Sequence, residues 1–298
     1  MKLQDWAELL VDPVTKTPLV FNGEKITSQS GKDYFLIGNK PDFIGSEKRG
    51  IFASQSDFLD RIKTILKNKF GKYYMFLIYV ISPVYIRIHW PSLSVYLNHI
   101  VKEISKNKKY VIQIGSGNDR ISEKVLNIDI FNYSEVDLIA DCTKLPFADN
   151  SIDCVISNAV LEHVTAPDDF VAEAYRVLKP GGEIITGVPF IQGFHASPND
   201  FYRWTDKGLD HLHSKFGFTK ISIVPNSGPT SGFLWILQEW LSIILSFNIN
   251  MLYSFWWFFF TIVLMPLKFL DVLFIHFKQA HKINSFYIYR GIKKAPGF

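Results

Sequence analysis

Two groups of residues in this 298-residue chain could do chemistry. The first is a series: Gly115, Ser116 and Gly117, then Asp129 with Ile130, Asp141 with Cys142, and Asn158. Each member stands at the end of a short apolar run, at 111–114, 125–130, 136–140 and 152–157. Runs of that composition favour strands, and a glycine pair lets the backbone turn tightly where a strand stops. Acids and an amide at successive strand ends define a crevice of the nucleotide-binding kind, where carboxylates accept hydrogen bonds from ligand hydroxyl and amine groups. Any one of these acids could instead be a helix N-cap or a turn residue; the series is what points to a ligand. The second group lies in PFIQGFHASPNDFYRWTDKGLDHL, residues 189–212. Histidine is the commonest side-chain base near neutral pH, which makes His195 a candidate general base or orienting group with Asp200 to align it. Arg203 could hold an anionic group and Trp204 could stack on a ring. His163, in LEHV, is a further imidazole near the same strand ends. The competing reading is that His195, Asp200 and Arg203 tie down an irregular loop.

These side chains need a scaffold. A fifth strand is expected at 183–188 after LKPGG, a sixth at 218–224, and helices at 92–109 and 206–215. Only DRISEK separates the glycine turn from the second strand, too little for a crossover helix. Cys142 and Cys154 are the two cysteines, too few for a zinc site or a disulfide framework. The net charge of +4 is unevenly spread: ten Lys/Arg face one acid between residues 61 and 110. The opening MKLQDWAELLVDPV has acids and an early proline but no long apolar core, so no signal peptide is expected.

VIQIGSGN, LNIDI, ADCTKLPFADNSIDCVISNAVLEHV and YRVLKPGGEIITGVPF resemble the successive motifs of class I S-adenosylmethionine-dependent methyltransferases. The likeness covers residues 108–225 and is greatest to the methyltransferase type 11-like group with LPF-x-D-x-S-FD and LEHV. It implies an α/β fold, the Rossmann-like seven-stranded sheet, with the last strand (285–290) between strands five and six. It also implies S-adenosyl-L-methionine as cofactor. Gly115, Ser116 and Gly117 would approach its methionine and ribose portions, Asp129 and Ile130 the ribose, Asp141 and Cys142 the adenine, and Asn158 the carboxypropyl end. The loop at 189–205 resembles a subgroup associated with sugars and surface glycans. On that likeness His195 and Asp200 are catalytic, His163, Arg203 and Trp204 bind the acceptor, and no metal takes part. Two departures stand out: Gln113 occupies a position where the family carries an acid, and the DRISEK connection is short. A NAD-dependent dehydrogenase is disfavoured because Asn118 and Asp119 follow Gly117 where a third glycine is wanted.

Outside the core, residues 1–47 resemble a small zinc-ribbon-like module whose metal positions read Asp12 and Thr15, so a metal-free, degenerate ribbon is expected. Residues 48–91 are a basic, aromatic, amphipathic linker of the kind that lies at a lipid headgroup boundary, or a helix packed on the catalytic domain. Its aromatics form an apolar block and do not alternate with the basic residues, which disfavours nucleic acid. Within a methyltransferase domain at 92–298, residues 230–282 read as an apolar helical insert. It has no charge from Trp240 to Leu267 and breaks at Asn248. A shallow membrane hairpin and a buried homodimer interface both fit it. The expectation is a cytoplasmic enzyme, peripheral or monotopic at the membrane, that methylates a hydroxyl of a sugar, glycan or glycolipid. A quinone or other lipid-like ring is the alternative acceptor, and a non-catalytic scaffold the alternative class.

Overall fold

The computed structural model describes residues 3–45 apart from 24, five helical positions between 97 and 106, residues 109–195, and residues 199–295. The 48–91 linker, with its expected lipid-surface role, and most of the helix expected at 92–109 lie outside the described residues.

The central strands are β5 (Val111–Ile114), β6 (Val125–Asp129), β7 (Leu138–Ile139), β8 (Ile152–Asn158), β9 (Leu178–Pro189), β10 (Phe218–Pro225) and β11 (Phe286–Lys293). They pair in the order β7-β6-β5-β8-β9-β11-β10. β5 to β9 are parallel, while β11 runs antiparallel between β9 and β10. This is the Rossmann-like sheet of class I methyltransferases, with the last strand inserted between the fifth and sixth. Every residue of β5 and β6 is buried, as expected of parallel strands covered on both faces.

Helix α1 (Pro167–Val177) shows how the covering layer is specified. Pro167 opens it, Asp168 and Asp169 sit in its positively polarised first turn, and Phe170, Val171, Ala174 and Val177 form its buried face. Thr205 caps α2 (Asp206–Lys215) by accepting from Gly208 N at 3.0 Å.

The structure differs from the sequence reading in several element bounds. The third strand is only two residues long; Val136 N is committed to a turn carbonyl at Tyr133. The fifth begins at Leu178, since LKPGG joins the ladder through Leu178 opposite Ile152. No helix links β5 to β6, as the short DRISEK demanded. The Arg120 fork closes that connection, donating to Asp137 Oδ1 (2.8 Å) and Oδ2 (3.1 Å), to Glu135 Oε2 (2.9 Å) and to the Glu135 carbonyl (2.7 Å).

In the N-terminal module β1 (Leu19–Asn22), β2 (Lys25–Ser28), β3 (Asp33–Ile37) and β4 (Lys40–Asp42) form antiparallel pairs. β4 then pairs in parallel with β7, so the module extends the central sheet to eleven strands. Trp6 is buried edge-on against Tyr110 and Phe147. In the turn after the 3-10 helix Leu3–Leu9, buried Asp12 accepts from Val14 N, Thr15 N (both 2.8 Å) and Tyr34 Oη (3.0 Å). Burial pushes this carboxyl up, but those donors, with the Ser28 hydroxyl, more than offset it and hold it below the ordinary range. A hydrogen-bonded turn thus organises the segment that the ribbon resemblance assigns to a metal.

The apolar insert is a helical hairpin, α3 (Pro229–Leu245) and α4 (Asn250–Leu264). The turn falls where the composition placed it: Phe247 and Asn248 take φ of 47° and 62°, a left-handed pair that stops the helix. The polar residues face inward. Gln238 Nε2 reaches Thr261 Oγ1 (2.7 Å) and the Trp257 carbonyl (3.1 Å), and Glu239 accepts from Tyr253 Oη (2.6 Å) and Trp257 Nε1 (3.0 Å). The large apolar side chains face outward, among them Trp240, Ile243, Ile244, Phe255, Phe259 and Ile262. At the hairpin's base, buried Asp271 caps α3 by accepting from Thr230 N, Ser231 N and Ser231 Oγ.

Candidate active site

The glycine turn at the end of β5 has the conformation its composition requires. Gly115 and Gly117 take φ of +66° and +56°. A Cβ on Gly115 would stand 2.2 Å from Val160 Cγ2, so only glycine allows this approach to the β8 end. Gly115 N and Ser116 N both donate to the Ile128 carbonyl. Gly117 N donates to Asp129 Oδ2, and Phe131 N to Asp129 Oδ1, both at 2.9 Å. Asp129 therefore clasps two strand-end loops, and its carboxylate keeps acceptor capacity for a ligand donor. Burial pushes its carboxyl above the ordinary range, against the N–H groups of Phe131, Gly117 and Ile130. Asp141 is occupied locally, with Oδ1 accepting from Thr143 N and Thr143 Oγ1 at 2.8 Å. Cys142 is half-buried beside it, and burial raises its thiol. Asn158 is exposed at the end of β8, where Gly187 leaves room for its side chain.

This arrangement suits a methyl donor of the S-adenosylmethionine type. The buried Ser116 Oγ has no hydrogen-bond partner among the described residues, and the glycine cradle would be filled by any Cβ at Gly115. Gln113 is buried, and its Oε1 has no hydrogen-bond partner among the described residues, so a neutral acceptor stands there.

The second group gathers beside these strand ends. Residues 199–204 fold back on the LEHV segment through Phe201 N to the Glu162 carbonyl (2.7 Å) and Tyr202 Oη to the Thr165 carbonyl (3.2 Å). The structure brings His195 and His163 together, with ring centroids 5.6 Å apart and planes perpendicular. Between them stands Glu162, fully buried, with Oε1 3.9 Å from His195 Nε2 and 3.8 Å from His163 Nε2. Asp200 acts on His195 mainly through its backbone: Oδ2 accepts from His195 N at 2.8 Å but lies 3.7 Å from the ring nitrogen. The ring's Nδ1 instead meets the Gly193 carbonyl at 3.0 Å. Burial alone would lower the His195 pKa. Glu162, the Gly193 carbonyl and Asp200 more than offset that, so it lies above the usual value despite Arg203.

Arg203 is committed within the loop, to both oxygens of Asp200 and to the carbonyls of Gln192, Gly193 and Tyr202. Trp204 is half-buried against the core and tilted over Tyr202. Sequence reasoning missed two participants. Glu162 was legible only as part of the LEHV motif, and Trp235 of α3, whose ring centroid lies 5.7 Å from that of His195, carried no motif. Trp235 also packs on Gly193, where a Cβ would stand 2.7 Å from its Nε1, so the apolar hairpin abuts the loop after β9 directly.

The sheet order, with an antiparallel last strand between the fifth and sixth, is that of a Rossmann-like class I methyltransferase fold. Residues 113–186 match the family described as "Methyltransferase domain". The chain is 37% identical over 93 residues to an uncharacterized 37.1 kDa protein in a transposon of Streptomyces fradiae, covering 31% of this chain and 26% of that protein. It is 48% identical over 91 residues to a ubiquinone/menaquinone biosynthesis C-methyltransferase of Dinoroseobacter shibae, 30% of each. Among solved structures it is similar to a Haemonchus contortus phosphoethanolamine N-methyltransferase bound to S-adenosyl-L-methionine. That likeness has 16% identity, spans 78% of this chain and 60% of the other, and has a TM-score of 0.43. The chain thus spans about 30% or less of the length of the curated relatives it matches first.

Proposed function

We propose that this protein transfers a methyl group from S-adenosylmethionine to a hydroxyl of a membrane-borne acceptor, a sugar, glycan or glycolipid, from the cytoplasmic face. When bound, S-adenosylmethionine supplies an electrophilic methyl on a sulfonium cation. Gly115, Ser116 and Gly117 are assigned to its methionine and ribose portions, Asp129 and Ile130 to the ribose, Asp141 and Cys142 to the adenine, and Asn158 to the carboxypropyl end. Methyl transfer is an in-line displacement, so holding the acceptor in line supplies much of the rate. His195 is the proposed acceptor-activating group. With Nδ1 held by the Gly193 carbonyl, its Nε2 lone pair is free to receive a hydroxyl proton beside Glu162. Asp200 and Arg203 act as positioning residues that hold the His195 backbone. Trp204 and His163 border the acceptor side.

The observation that carries the membrane part is the inside-out hairpin. Its hydrogen-bonding side chains pair between α3 and α4 while its aromatic and aliphatic side chains face solvent. Such a large exposed apolar surface marks a lipid or protein contact. Residues Asn250–Phe274 are long and apolar enough to cross a membrane, with a mean hydropathy of 1.9. Lys278 and Lys282 are exposed just beyond, where anionic headgroups would attract them. Lys293, by contrast, is turned inward to Asn150 and the Tyr175 carbonyl. Trp235 joins that surface to His195, which supports an acceptor delivered from lipid. A quinone-like ring is the second reading, favoured by the C-methyltransferases among the relatives. The degenerate ribbon at 1–47, the 48–91 linker and the 92–298 methyltransferase domain remain the proposed division.

Titration calorimetry with S-adenosylmethionine, followed by flotation with anionic vesicles, tests this. Binding of both is expected. Cofactor binding with a soluble dimer and no flotation would replace the lipid surface by a homodimer interface, and no cofactor binding would favour a scaffold.

A further inference from the structure

We propose that Glu162, His163 and His195 form a site for a divalent transition metal of the zinc class, an inference that goes beyond the methyl-donor reading and whose catalytic role rests on it. The three side chains come from two places: Glu162 and His163 from the 3-10 turn after β8, and His195 from the loop after β9. Their candidate ligand atoms all lie within 4.8 Å of one another.

Three features point to an ion. Glu162 is 0% exposed, and neither carboxylate oxygen has a hydrogen-bond partner among the described residues. A buried carboxylate left in this state is costly, and a cation between it and its neighbours removes the cost. Next, both imidazoles are held in the orientation a metal needs. His163 Nδ1 meets the Asn199 carbonyl and His195 Nδ1 the Gly193 carbonyl, with Arg203 Nη2 3.3 Å from the latter nitrogen, so the carbonyls engage each Nδ1 and each Nε2 is left facing Glu162. Metal-binding histidines are oriented in this way, the second nitrogen donating to a carbonyl or carboxylate. Last, two imidazoles and one carboxylate constitute a recognised open zinc ligand set, which leaves a position for an incoming oxygen. The Nε2–Oε1 separations of 3.8 and 3.9 Å exceed the roughly 3.4 Å spanned by two ligands at zinc's usual distances, a gap closed by small rotations of the two rings.

The consequence for chemistry is specific. An acceptor hydroxyl at the open position would lose its proton more readily, as metal-bound water does. Glu162 Oε2, which would not be a ligand, can take that proton. The histidines would then act through the ion, and His195 would not serve as a free base.

The test uses tag-free full-length protein, stripped with chelator and titrated with Zn²⁺ in a calorimeter and with Co²⁺ by visible absorption. One ion per chain is expected, with the Co²⁺ spectrum showing nitrogen–oxygen coordination. His163→Ala and His195→Ala should each weaken binding at least about tenfold, while the circular dichroism spectrum and S-adenosylmethionine affinity stay unchanged. Glu162→Gln is the third variant, read only if it folds. Absence of stoichiometric Zn²⁺ binding by the folded, cofactor-competent protein would overturn the inference. So would binding that both histidine variants leave unaltered. Cofactor binding without metal binding would refute the site and leave the methyl-donor reading standing; metal binding without cofactor binding would do the reverse.

Discussion

The two sides of the strand-end crevice are built on opposite principles. On the donor side, short-range chemistry fixes everything: positive-φ glycines, an aspartate clasping the next loop, and fully buried strands. On the side we propose for the acceptor the same strand ends are dressed by long-range contacts. Asp200 holds His195 and Arg203, and a helix some forty residues later places Trp235 against the loop. The hairpin carrying Trp235 even reverses the usual solution of α1, with polar groups inward and apolar groups outward. The glycine side of the crevice is thus locally encoded, while the His195 side is assembled from elements that meet only in the folded state.

The comparison is broken or sharpened by variants confined to one side. The largest effect is expected for Phe255→Ser, Phe259→Ser and Ile262→Ser combined, an exposed stripe of α4. At roughly 1.5 kcal/mol or more per apolar side chain, vesicle affinity should fall about a thousandfold. S-adenosylmethionine affinity should not change, and flotation with parallel calorimetry reads both. Gly115→Ala should do the converse: the clash with Val160 and the left-handed φ predict roughly 2–5 kcal/mol lost and about a hundredfold weaker cofactor binding, with flotation intact.

Below these lies a pH effect in the shared core. Burial depresses His213 to about 4, where it stacks on Tyr289 and meets Thr186 Oγ1. The unfolded chain takes up a proton here below its ordinary pKa, near 6.5, and the folded chain does not. Up to about 3 kcal/mol of stability should therefore be present above pH 6.5 and be lost as pH falls toward 4. Denaturant midpoints across that range, flatter in His213→Gln, check it. Arg203→Gln should give the smallest change, about tenfold in kcat with cofactor affinity unaltered, since it loosens the His195 loop alone; steady-state kinetics with separate donor titration decides.

How much was legible follows the same division. The first strands, the missing crossover helix and the hairpin break at Asn248 could be read from residue order, because composition and turn chemistry act over a few positions; the place of the last strand came from the family resemblance alone. The extension of the sheet by β4 could not, since a single parallel step between Asp42 and Ile139 leaves no local mark. Glu162 was hidden for a related reason: only the return of residues 199–204 to its backbone and the approach of His195 give that carboxylate its surroundings. The commitment of Arg203 to its own loop was likewise invisible, because carbonyl partners carry no sequence signature.

The most direct test of the central claim follows the methyl group itself. Full-length protein would be incubated with methyl-tritiated S-adenosylmethionine and glycolipid-containing vesicles, and label measured in the organic phase. The account predicts label there as an O-methyl ether, abolished by Gly115→Ala and strongly reduced by the α4 triple variant. A protein that binds the donor and the vesicles yet leaves the lipid unlabelled would contradict it.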